Sequence, residues 1–79
     1  MWYFTIKQAS IQTKPYQHLQ KLAEGTEVEI FSEPYENYCV FEVEKDRYQN
    51  MMDYLDREGI AYSLSATRPS RDELLESMK

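Results

Sequence analysis

The segment Glu27–Glu44, EVEIFSEPYENYCVFEVE, constrains the fold more than any other stretch of the chain. Val28 and Ile30 alternate with Glu27, Glu29 and Phe31, and Cys39, Phe41 and Val43 alternate with Tyr38, Val40, Glu42 and Glu44. Period-two alternation marks strands buried on one face, and the intervening Glu-Pro-Tyr-Glu-Asn supplies a turn. If both apolar sets face one core, a one-residue slip would send one set into solvent, so the register is restricted. Pairing Val28 with Val43 and Ile30 with Phe41 meets that demand and leaves Tyr35-Glu36 as the loop tip. The same pairing places Glu29 opposite Glu42 and Glu27 opposite Glu44. Like charges facing each other across strands are destabilising. The expectation is therefore that these carboxylates serve recognition.

The rest of the chain builds around this hairpin. Trp2, Phe4 and Ile6 alternate with Tyr3, Thr5 and Lys7, a strand with one apolar face. After a polar connection, Pro15 suits the first turn of a helix whose apolar stripe is Leu19, Leu22 and Ala23, with Gly25 as its stop. Asp46 is the expected N-cap of a second helix, with Tyr48, Met51, Met52 and Leu55 on one face and Gly59 at its end. Ile60, Tyr62, Leu64 and Ala66 then alternate as a fourth strand. Pro69 breaks the chain, and Ser70-Arg71-Asp72-Glu73 has capping-box spacing ahead of Leu74 and Leu75.

This order predicts a single α+β domain over 1–79, a ferredoxin-like two-layer sandwich with strand order 4-1-3-2 and a short appended helix over 70–79. Both main helices are expected on one sheet face. The core expected there is Trp2, Phe4, Ile6, Val28, Ile30, Cys39, Phe41, Val43, Ile60, Tyr62 and Leu64. The opposite face carries Tyr3, Phe31, Tyr38 and Val40 beside Glu27, Glu29, Glu42 and Glu44, and it is expected to be open.

Composition narrows the function classes. A chain of 79 residues is one domain at most, with a core near the lower practical limit. A net charge of −5 disfavours nucleic acid and anionic membranes as direct partners, since both select clustered Lys and Arg. No apolar run is long enough for a membrane span or signal peptide, and Met1-Trp2-Tyr3 leading straight into a strand is read as the natural start. One cysteine cannot form an internal disulfide, which points to a reducing, cytoplasmic setting.

Chemistry-bearing residues are sparse. His18 lies alone on a helix, Cys39 falls on the core side of its strand, and two glycines cannot build a phosphate loop. The four strand glutamates could in principle hold a hard cation, but a flat sheet face rarely gathers six oxygens. No catalytic residue, cofactor or metal is expected. RNA-recognition motif domains share the element order, but Asn-Tyr-Cys-Val-Phe-Glu-Val lacks the basic residue and glycine of their central motif. Regulatory modules of the ACT type share it too, and their glycine-containing loop has no counterpart in Gln8–Thr13.

The expectation that remains is a non-catalytic protein-binding module. It would be a small acidic inhibitor or adaptor, for example a phage-type inhibitor of nucleic-acid-binding machinery, that occupies a basic surface on a larger partner. Its partner-binding residues would be Tyr3, Glu27, Glu29, Phe31, Tyr38, Val40, Glu42 and Glu44. A homodimer through the open face is expected alongside it. The alternative function is a dimeric small-ligand-binding regulatory module.

Overall fold

A computed structural model describes residues 1–78. Strands β1 (Trp2–Lys7), β2 (Gly25–Glu29), β3 (Tyr38–Val43) and β4 (Ser63–Ser65) form one antiparallel sheet in the order β2-β3-β1-β4. Helices α1 (Thr13–Leu22), α2 (Tyr48–Glu58) and α3 (Arg71–Ser77) complete a small α+β domain, and a 3-10 turn at Gln8–Ser10 follows β1. Central β3 is buried on both faces, which is why its apolar residues do not alternate cleanly.

The helix-covered core is Phe4, Ile6, Leu19, Cys39, Phe41, Val43, Met51 and Leu55. Trp2, Ile60 and Tyr62 pack against it, and Trp2 and Tyr48 bring their ring centroids to 5.4 Å. Three residues expected in this core are exposed: Val28, Ile30 and Leu64. Val28 lies on edge strand β2, Ile30 just beyond its end, and Leu64 on edge strand β4, so alternation alone did not ensure cover.

The hairpin register differs from expectation. Val28 pairs with Cys39 rather than Val43, and Glu27 and Glu29 lie opposite Val40 and Tyr38 rather than Glu44 and Glu42. A shift by an even number of residues keeps every side chain on its face, so the burial argument could settle parity but not register. The connecting segment consequently spans residues 30–37. Its geometry is fixed by Asn37, whose Oδ1 accepts from the Phe31 amide at 2.9 Å while its Nδ2 donates to Gln8 at 3.1 Å.

Helix boundaries follow local chemistry with two departures. Helix α1 ends at Leu22 with Ala23 as C-cap, and Gly25 opens β2 instead of stopping the helix. Helix α2 is capped by Arg47, with no side-chain cap, rather than by Asp46. Its end is as expected: Gly59 adopts φ 70°, a conformation that favours glycine because it lacks a Cβ. At α3 the capping box forms in full, Ser70 Oγ accepting from the Glu73 amide at 3.1 Å.

Helix α3 decides the architecture of the second face. Leu74 packs on Tyr38 and Val40, with Tyr3, Phe31 and Met78 around them, as a second cluster apart from the main core. The sheet is thus covered on both sides. The expectation of an open face fails, and with it the reason for a homodimer through that face.

Candidate functional site

The side chains that converge most are those joining β2 to the C-terminal segment. After β4 at one sheet edge, residues 66–69 cross the second face toward β2 at the other edge. The chain bends at Ala66 and Thr67, the Thr67 amide donating to Ser65 Oγ at 3.3 Å, and the long arginine side chain completes the reach. Arg68 Nη2 binds Glu27 Oε2 and also reaches Glu29 Oε1 at 3.1 Å. Arg71 donates to Glu29 Oε2 and to the Ile30 carbonyl, both at 2.9 Å. The Arg71 guanidinium also lies over the Phe31 ring, 4.4 Å from its centroid.

Glu29 is the centre of this group, with a side chain only 16% exposed and both oxygens engaged by arginine. Hydrogen bonds from Arg71 and Arg68 hold its carboxyl below the usual value of 4.5, against the opposing effect of burial. The set combines carboxylates, a planar guanidinium and an aromatic face. Arginine suits such a site because its fork matches carboxylate oxygens and its plane stacks on a ring.

The expected partner-binding residues fall into three groups. Glu27, Glu29 and Phe31 come together around the two arginines. Tyr38 and Val40, 9% and 3% exposed, lie beneath α3 with half-buried Tyr3 beside them, so they are not free surface in this conformation. Glu42 and Glu44 lie apart: Glu42 is opposite Gly25 and Tyr3, and Glu44 is exposed just beyond β3. The expected pairs of facing glutamates do not exist, because the register differs, and Glu27 and Glu29 pair with Arg68 and Arg71 instead. Sequence reasoning missed both arginines, which are 39 or more residues distant in the chain. Arg68 shortly before α3 and Arg71 at its first position, ahead of Asp72 and Glu73, were the only local signal.

Elsewhere the chemistry is structural. Burial raises the Cys39 thiol above its usual value and leaves it fully covered. Exposed His18 stacks on half-buried Tyr54 with ring centroids 4.2 Å apart. Desolvation, followed by the charge and hydrogen bond of Asp56, raises Tyr62. A surface hollow of ≈ 450 Å³ is lined by Gln8, Phe31, Glu33, Tyr35, Glu36 and Asn37, and Glu36 is ion-paired with Lys7 at 3.1 Å. Among the described residues no three His, Cys, Asp or Glu side chains gather as a metal site, and no helix is long and apolar enough to cross a membrane.

The chain matches no protein-family model, no curated protein and no solved structure.

Proposed function

We propose that the protein is a non-catalytic binding module, a small acidic inhibitor or adaptor that engages a basic surface of a larger protein. The observation that carries this reading is the way Glu27, Glu29 and Phe31 receive two arginines. Side chains that hold arginine by ion pairing and by ring stacking are suited to arginines from another molecule. The net charge of −5 favours encounter with a positive partner over the whole surface. A phage-type inhibitor that competes with nucleic acid for a basic groove is the most concrete form of the reading.

The scaffold on this view is ferredoxin-like: the sheet order read from the β4 edge is 4-1-3-2, and α1 and α2 share one face. Cytoplasmic residence fits the lone buried thiol.

The test is affinity capture from source cells, followed by association kinetics of the captured partner across a salt series. Glu27→Gln/Glu29→Gln should slow association at low salt and flatten its salt dependence. Association unaltered at every salt concentration would overturn the reading.

A further inference from the structure

Helix α3 fills a seat whose chemistry does not depend on the helix belonging to the same chain. The seat has an apolar floor of Tyr38 and Val40, flanked by Tyr3 and Phe31, and an acidic edge of Glu27 and Glu29. Its occupant matches it in pattern. Arg68 and Arg71 reach the edge, and Leu74 and Met78, one helical turn apart, meet the apolar cluster.

The apolar hold on this occupant is small. Leu74 is the one buried residue of a helix only seven residues long. A helix of that length does not persist without its packing. The cluster beneath it shares no buried residue with the main core, so α3 can leave while Phe4, Phe41 and Leu55 keep their neighbours. Such satellite units open at lower free energy than the core.

We propose that this seat is a receptor for an amphipathic helix of a partner protein that is led in by arginines, and that α3 is its internal occupant and competitor. The inference rests on the reading of the protein as a binding module for basic partners. The partner segment carries two arginines three residues apart, the first ahead of its helix and the second in the first turn, then two apolar residues at the spacing of Leu74 and Met78. It gains over α3 by length and by additional contact area. Its apparent affinity is reduced by the fraction of chains in which α3 is seated, so weakening α3 strengthens binding.

The test uses the full chain and, as probe, a fluorescent synthetic peptide with the sequence of residues 66–79. Arg71→Gln/Leu74→Ala in the chain should bind the peptide at least about tenfold more tightly than the native chain, because the internal competitor is weakened. Adding Glu27→Gln/Glu29→Gln to that variant should reduce peptide affinity severalfold and flatten its salt dependence. Equal peptide binding by the native chain and the variant, with far-UV circular dichroism showing both folded, overturns the proposal. A measurement on the native chain guards against a variant that fails to fold. The α3 amides should exchange hydrogen through an opening that leaves the β3 amides protected. Exchange of α3 only in step with β3 would show that the helix is not a separable occupant and would also overturn it. No cellular partner is present in these experiments, so their failure removes the seat, whereas failed kinetics on a captured partner removes the functional reading.

Discussion

Glu29 and Glu42 share a sheet face but have different neighbours, and this difference is measurable. Glu29 is clasped by Arg68 and Arg71, whereas Glu42 faces Gly25 and Tyr3 and has no ion pair among the described residues. Glu29→Gln should destabilise the chain by about 1 kcal/mol, the upper range for a partly exposed ion pair with good geometry. Glu42→Gln should fall within about 0.5 kcal/mol of neutral, as for most surface changes. Urea unfolding of the two variants checks both values. Because the native Glu29 carboxyl titrates below its usual 4.5, its contribution is fully present above that pH and is lost as pH falls through the lower native value. Chemical shifts of Arg68 and Arg71 side chains in an acid titration should therefore move below pH 4.5 and not above it. At Cys39, burial both covers the sulfur and raises its pKa. Its reaction with a thiol reagent should be slow in the native chain and should follow the unfolded fraction in urea. Rapid modification under native conditions would mean that the β3 core opens locally.

At the scale of elements, α3 is tied down at three places of unequal strength. Its start is set by the Ser70–Glu73 capping box, its middle by Leu74, and its end by Met78, whose sulfur accepts from the Glu36 amide at 3.3 Å. Ser70→Ala should cost about 1 kcal/mol by loss of the cap. Leu74→Ala should cost about 2 kcal/mol, the low end for a buried leucine, because the site is peripheral and can collapse. Thermal or urea unfolding measures each, and Leu74→Ala with unchanged stability would show that the helix contributes nothing to the fold. Strand β2 presents a different problem. It is an edge strand with exposed Val28, yet Glu27 and Glu29 stand on its other face with arginine partners. Charged side chains on an edge resist pairing with a second sheet.

For the molecule as a whole, the two sides of the sheet are unequal. The main core gathers both long helices and every fully buried large side chain, while the second cluster has three buried members. Trp2, the only tryptophan, packs against the main core and not against α3. Its fluorescence should therefore report the main transition, with α3 amide signals lost at lower urea concentration. Coincident transitions would make the whole chain one cooperative unit.

The element order, the strand faces, the capping box at Ser70 and the glycine stop at Gly59 were legible in the residues themselves. Each depends on period, on local hydrogen bonding or on backbone sterics within a few residues. The hairpin register was not legible, because alternation distinguishes odd from even shifts and nothing finer, and the side-chain bonds of Asn37 set the rest. The candidate site was half legible. Glu27, Glu29 and Phe31 stood out as an unusual acidic and aromatic set, but Arg68 and Arg71 reach them only because the chain crosses the sheet after β4. Local pattern determined which residues lie on which face. Which charges meet, and that α3 covers Tyr38 and Val40, depended on a crossing between opposite sheet edges, which no periodicity along the chain encodes.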